Sequence, residues 1–516
     1  MNKAYHKLML LFAVVVLAFL SLYLFAASMS KAMSSDEQMY CTGGYLISKG
    51  LMIYRDFSYA TQLPYHPLLC AAVYKLTGTT HYLLAARLIS VAFDILIIIC
   101  IFSTFRKIFA EYYFSGTLLG LAACTLFVFN PFVSYLLGVA WNHDMTLLCI
   151  VLSFRIFIGE KHNTMRIFTI AALLTIAVWT RATSVFIMPI FLAMVIAKTR
   201  SNNIIINSAR AKAHPTSTSL LAMTLGVIAF SIVPVYIAIA SGRAFFVNIF
   251  LVSMLHGQLL HDLHIAYDKS YLTIWALRNF DSSFLIMTAV FICFCVFVFR
   301  KKITITQKTN ALLAFLLLIT SFIITYFPPT MWKQYFGIPV IFIIIVMGFG
   351  LLYLRTTGSY KICVAIFVAL SLATMISQKP ISKISKCLSP DNWTPIKIHN
   401  ISKQIVATTQ DSKTILTLSP LYAIEGGGQI YNELSAGVSA FRVADKLSAT
   451  DRAVTHTAGL KELPELTNAK PAGAIVIGPE LTRFDKIDLK SIVPPDWQRI
   501  DCGNTSVHNF FPPKGL

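Results

Sequence analysis

The stretch Asp36–Gly78, DEQMYCTGGYLISKGLMIYRDFSYATQLPYHPLLCAAVYKLTG, decides how this chain is read. It follows an apolar run, Leu8 to Ala27, whose 20 residues match the length a helix needs to cross a bilayer. It opens with two adjacent carboxylates, Asp36 and Glu37, in a region (residues 1–378) that holds only ten acidic residues. Apolar spacing at Tyr40, Gly44, Ile47 and Leu51, and again at Leu68, Ala72, Val73 and Leu76, is close to helical. The spacing predicts two short helices lying along the membrane face, joined by a loop that contains Arg55-Asp56 and Pro64.

The rest of the chain sets the environment of that stretch. With 56% hydrophobic residues among 516 and a formal net charge of +20, the composition is that of a multi-pass membrane protein. From Lys379 to Leu516 there are 16 basic and 13 acidic residues, so most of the excess charge belongs to the apolar part. There it falls in short loops, as the positive-inside rule places it. A nucleic-acid surface would need basic residues clustered on a soluble face with aromatics between them, a pattern this sequence lacks. Lys3 and Lys7 before the first apolar run would suit a signal peptide, but the run is long and no A-x-A site follows, so it reads as the first span.

Ten further apolar runs follow: Tyr82–Phe105, Tyr113–Phe129, Met145–Ile158, Ile167–Thr180, Ser184–Ala197, Leu220–Ala240, Phe284–Phe299, Ala311–Phe327, Ile338–Leu354 and Ile362–Ile376. About eleven spans result. Lys and Arg concentrate in alternate loops, beginning with Lys3 and Lys7, which predicts a cytoplasmic N-terminus. The first loop (31–81), Asn130–Asp144, Ser241–Asp281, Pro328–Phe336 and the tail after Ser377 then lie on the extracytoplasmic side. The tail (379–516) has short β-like runs, Thr414–Leu418 and Ala474–Ile477, beside helical stretches and Gly- and Pro-rich loops, and predicts a small α/β domain. Cys387 and Cys502 bracket that domain on a side where disulfides form, so a bridge between them is one expectation and two free thiols the other.

A first span followed by Asp-Glu, a Gly-containing helix, Gly50-x-x-x-Tyr54-x-Asp56-Phe57 and a Pro-bounded second helix resembles the GT-C glycosyltransferases. The pattern is similar to that of the polyprenyl-phosphate-sugar-dependent enzymes that include protein O-mannosyltransferases and bacterial lipid A aminoarabinose transferases (families 39 and 83). It rests on Asp36, Glu37, Tyr40, Gly50, Tyr54, Asp56, Phe57 and Pro67. The resemblance implies a GT-C catalytic module in residues 1–378, set in a bacterial inner (plasma) membrane. It implies transfer of a sugar, with inversion, from a polyprenyl-phosphate donor to an acceptor hydroxyl on a glycan, glycolipid or protein. It implies no required cofactor and leaves a divalent metal open.

Several residues are candidates for that chemistry. Asp36, just outside the first span, would serve as general base, with Glu37 and Asp144 as further catalytic carboxylates. Each also has a plain structural reading: Ser35-Asp36-Glu37 looks like a helix start, and Asp144 in Trp141-Asn-His-Asp144 could cap the fourth span. The donor phosphate needs cations, for which Arg55, Arg181 in the turn Thr180–Thr183, and Lys333 with Tyr335 are the candidates. Where many relatives carry Lys-Pro at the second surface helix, this chain has His66-Pro67, and an imidazole is charged only near or below pH 6.5. His256, His261 and His264 with Asp262 lack a strong metal-ligand spacing. A transporter or flippase for a lipid-linked sugar is the rival reading. It would show internal repeats and charges deep in spans, for which Asp94 and Arg155 are the only candidates.

Overall fold

The first loop is the hub of the structure. The computed structural model describes residues 3–159, 163–206, 215–262, 269–279, 287, 290, 305–328, 331–355, 359–409, 412–478, 492–502 and 507–512. Helix α1 (Lys3–Ser30) delivers the chain to α2 (Ser35–Ser48), which begins in a capping box. The cap is Ser34, one residue earlier than the sequence suggested: the Asp36 N–H donates to Ser34 Oγ at 3.3 Å, and Ser34 N–H donates to Glu37 Oε2 at 2.9 Å. Helix α3 (Tyr65–Thr77) crosses α2 at two glycines. A Cβ on Gly44 would sit 2.7 Å from Cys70 Cβ of α3, and one on Gly43 2.6 Å from the Tyr59 ring of the connecting loop, so only glycine lets α3 and the loop approach α2 this closely. The connecting loop is buried at Ile53, Tyr54, Phe57, Ser58, Tyr59 and Ala60. Its turn is held by Met52 N–H donating to Asp56 Oδ2 at 2.7 Å and the Tyr54 hydroxyl donating to Gln62 O at 2.6 Å.

Helices α4 (Tyr82–Ile108), α5 (Tyr113–Phe129), α6 (Pro131–Leu136), α7 (His143–Phe157), α8 (Thr164–Thr180), α9 (Met188–Ile206) and α10 (Pro215–Ser241) follow. Ile305–Tyr326, Gly337–Leu354 and Tyr360–Ser377 complete the apolar set. Among the described residues, seven helices are long and apolar enough to cross a membrane, and the chain is a multi-pass membrane protein. Of the other four predicted runs, α5, α7 and α8 are helices of 17, 15 and 17 residues, and Phe284–Phe299 lies largely outside the described residues.

The described residues between 380 and 512 form short helices around a mixed four-stranded sheet of order β1 (Ile415–Thr417), β2 (Ala474–Ile477), β4 (His508–Phe511), β3 (Gln498–Ile500). Strand β1 runs parallel to β2, while β4 is antiparallel to both β2 and β3. This unit is seated on the first loop. Leu421 N–H donates to Gln38 Oε1 at 2.9 Å, Ser435 Oγ donates to Ser58 O at 2.7 Å, and the Ser58 and Thr457 hydroxyls meet at 3.0 Å. Its apolar residues Ile398, Ile405 and Leu421 join the same hydrophobic core as the membrane helices. Cys387 and Cys502 are both free and buried, so the bridge between them does not form. Cys387 packs on Ala26 and Met29 at the end of α1, whereas Cys502 belongs to the main core.

Candidate functional site

The sequence-predicted residues divide into two groups. Asp36 stands in the first turn of α2, half-buried, with Tyr40 one helical turn further along the same face. Burial pushes the Asp36 carboxyl above its usual range, Arg442 pulls it back, and Glu37 adds to the rise. Tyr40 meets His66 of α3 edge to face at 5.0 Å between ring centroids. His66 is fully buried, and burial drives its imidazole down to about 3, so it is neutral at physiological pH. Its Nε2 has no hydrogen-bond partner among the described residues.

Opposite this face stands Arg181, 9% exposed, at the end of α8. Its guanidinium lies 4.2 Å over the Tyr335 ring, donates to a ring nitrogen of His143, and reaches Thr183 Oγ1 at 3.3 Å. His143 is held in turn by Trp141, at 4.8 Å between rings. Tyr40 and Tyr335 each lie within electrostatic reach of both Asp36 and Arg181. Among the described residues no carboxylate stands within salt-bridge distance of Arg181. A buried cation compensated only by neutral acceptors and a ring face is poised for an anion.

The remaining predicted residues lie elsewhere. Glu37, proposed with Asp36 as a catalytic carboxylate, is fully buried in a two-pronged ion pair with Arg87 of α4, both contacts at 2.8 Å. It also accepts from Ala140 N–H at 2.8 Å and Ser34 N–H at 2.9 Å. Four donors occupy its lone pairs, which leaves none for an acceptor hydroxyl. Arg87 donates its other protons to the carbonyls of Ser28, Lys31 and Ala32, and so ties the end of α1 to α4. Asp144 does not cap α7, whose cap position is Asn142, and is not brought to Asp36. It is fully buried near Ser90 and Gly138 and shares the field of Lys31 with Asp94. Gly138 makes that corner feasible, because at φ 72 it brings its backbone against Ser28, whose Oγ donates to Gly138 O at 2.6 Å.

Arg55 is a second correction. Its side chain is 52% exposed and is engaged by its neighbour Asp56 at 2.7 and 3.0 Å, an arrangement that favours a turn clasp over phosphate binding. Lys333 is exposed on the turn that presents Tyr335. The suggested histidine cluster also separates. A ring nitrogen of His256 meets Ser439 O, His261 is 90% exposed, Asp262 pairs with Lys446 at 2.6 Å, and His264 lies outside the described residues. Of the transporter candidates, Asp94 joins the Lys31 corner and Arg155 donates to Ser103 Oγ at 3.0 Å.

Sequence reasoning missed three contributors. Tyr40 belonged to the motif but had no assigned role, and His143 was passed over for its neighbour Asp144. Arg442, on the helix Val438–Ala444 of the C-terminal unit, gave no local signal, because its proximity to Asp36 depends on how that unit docks.

No family model and no curated relative matches this chain. Among solved structures, ArnT from Cupriavidus metallidurans bound to undecaprenyl phosphate superposes with a TM-score of 0.61 at 12% identity, over 99% of this chain and 98% of that one. The chain has the GT-C fold. The same ArnT in the apo state gives 0.58 at 13% identity, over 98% of each chain. Archaeal oligosaccharyltransferase AglB from Archaeoglobus fulgidus, in complex with an inhibitory peptide and a dolichol-phosphate, gives 0.49 at 12% identity, over 91% of this chain and 69% of that one. The ArnT match spans both the membrane helices and the C-terminal sheet unit.

Proposed function

We propose that this protein is a membrane glycosyltransferase that moves a sugar from a polyprenyl-phosphate donor to an acceptor hydroxyl on the extracytoplasmic face. The observation that carries the reading is Arg181, a buried guanidinium with no carboxylate in salt-bridge distance among the described residues, beside Tyr40 and Tyr335, the two tyrosines that also lie in the field of Asp36. Arg181 would hold the donor phosphate, with Tyr335 beneath the guanidinium and His143 orienting it. As the acceptor oxygen bonds to the anomeric carbon, the bond from that carbon to the phosphate oxygen breaks. The hydroxyl proton passes to Asp36, and the lipid phosphate leaves with the bonding electron pair on its oxygen, its added charge held by Arg181. A single displacement of this kind inverts the anomeric carbon.

The environment of Asp36 suits this role. A base with a raised pKa binds the departing proton more strongly, and Arg442 offsets part of the cost of its burial. His66 is neutral, so it would offer a hydrogen bond to the substrate in place of the charge a lysine would bring. The ArnT structure with undecaprenyl phosphate supports a lipid-phosphate ligand in a fold of this type.

The test is Asp36→Asn in purified, folded protein, scored separately for sugar transfer and for donor binding. Loss of a general base costs about 10²–10⁴-fold in rate, so turnover should fall by that factor with donor binding retained. Near wild-type turnover would refute the assignment.

A further inference from the structure

Where the C-terminal unit meets the start of α4, three metal-capable side chains converge away from Asp36 and Arg181. His81 immediately precedes α4, His399 lies on the helix Thr394–Thr408, and Glu425 follows the short helix Leu421–Ile424. Their donor atoms all lie within 4.8 Å of one another. His399 and Glu425 are each 1% exposed, and His81 is half-buried. His399 Nδ1 and Glu425 Oε2 are 2.9 Å apart, and Leu83 N–H donates to Glu425 Oε1 at 2.6 Å.

Those two bonds leave a residue of unsatisfied chemistry. His399 Nε2 and His81 Nδ1 are both buried with no hydrogen-bond partner among the described residues. The two rings stack at 3.7 Å between centroids and 25° between planes, a separation at which two imidazolium charges would repel strongly. Neutral imidazole is the form in which histidine ligates a metal. A purely structural His–Glu pair would account for Nδ1 of His399. It would not account for a second imidazole with a buried, idle nitrogen laid against the first.

We propose that His81, His399 and Glu425 form a binding site for a zinc-class divalent cation that fastens the C-terminal unit to the membrane helices. Two imidazole nitrogens and one carboxylate oxygen are a donor set that Zn²⁺ accepts, with water completing the tetrahedron. The hard cations Mg²⁺ and Ca²⁺ favour all-oxygen sites and are poorly matched. Zinc bonds of about 2.0–2.2 Å require the three donors to draw together, and His81 can turn out of the stack because it is half-exposed. The Leu83 N–H holds the carboxylate in place from the second layer. The ligands come from both units, so the ion would stabilise their docking, and with it the approach of Arg442 to Asp36.

The experiment uses the purified full-length protein, stripped with a chelator and re-equilibrated with Zn²⁺, with Mg²⁺ as the comparison and Co²⁺ as the spectroscopic probe. The expected result is about one Zn²⁺ per chain by elemental analysis, together with tetrahedral Co²⁺ absorption and a rise in melting temperature with Zn²⁺ but not Mg²⁺. His81→Ala, at a half-exposed position, should abolish binding and the Zn²⁺-dependent shift, as should Glu425→Gln. No stoichiometric Zn²⁺ in the wild type, or Zn²⁺ retained in full by His81→Ala, would overturn the proposal. None of these readouts requires sugar transfer, so failure here would leave the transferase reading untouched.

Discussion

The Glu37–Arg87 pair provides the sharpest test of the division between structure and chemistry in the first loop. Glu37→Gln keeps the size of the side chain but removes its charge and one of its two acceptor oxygens. The four donors now served at 2.8–2.9 Å would then compete for a single oxygen, with an amide NH₂ turned toward at least one of them. Arg87 would remain fully buried without a counter-charge, held only by the carbonyls of Ser28, Lys31 and Ala32. Removing one partner of a buried ion pair costs about 3–5 kcal/mol, and both partners here are completely enclosed, so the upper part of that range applies. Replacing both together, Glu37→Leu with Arg87→Met, should recover much of the loss, since an apolar pair carries no desolvation penalty. The assay is thermal unfolding in lipid nanodiscs, run beside sugar transfer per folded molecule. Glu37→Gln should melt far below wild type yet retain turnover wherever it is folded. An unchanged melting temperature with abolished turnover would refute the structural assignment and return Glu37 to the catalytic group.

Three further outcomes follow from the same geometry. Burial raises the Asp36 pKa, and a base must be deprotonated to act, so the acid limb of the pH–rate profile should lie above the ordinary carboxylate range; Arg442→Gln, which removes the opposing charge, should move that limb higher still. A raised pKa also means that folding disfavours the ionised form once pH rises through it, so Asp36→Asn should unfold no earlier than wild type at pH 7 and later if burial dominates, as read by melting temperature. Gly44→Ala places a methyl group 2.7 Å from Cys70 Cβ and 3.4 Å from the Ala71 backbone nitrogen, so it should destabilise by about 1–3 kcal/mol and lower the melting temperature, whereas Gly50→Ala meets no atom within 4 Å and costs only the strain of its positive φ.

Much of the architecture was legible in the order of residues. Apolar runs long enough to span a bilayer are a local property, because unpaired backbone groups in lipid force each run into a helix. The two surface helices were likewise readable from spacing, since a 3.6-residue period is written in neighbouring positions. Asp36 was identifiable because carboxylates are scarce near membrane spans, and Arg181 because a lone cation in an apolar setting needs a reason to be there.

Roles among equivalent residues depended on tertiary structure. Asp36 and Glu37 are adjacent carboxylates, yet one helical step points Glu37 toward Arg87, fifty positions away, and leaves Asp36 facing the tyrosines. Arg55 and Arg181 are equally cationic in sequence, but a neighbouring Asp56 neutralises one while burial without an acid isolates the other. Asp144 looked like a partner of Asp36 because the resembled families often carry an acidic residue in this place, and only packing shows that its corner is shared with Asp94 and Lys31. Arg442 and the His81–His399–Glu425 cluster were invisible for the same reason: hundreds of positions separate Arg442 from Asp36, and His81 from His399 and Glu425. What the sequence determined by itself was the inventory of helices and charges. Which charge meets which was decided by long-range packing, because Coulomb and desolvation energies depend on distance and burial in space.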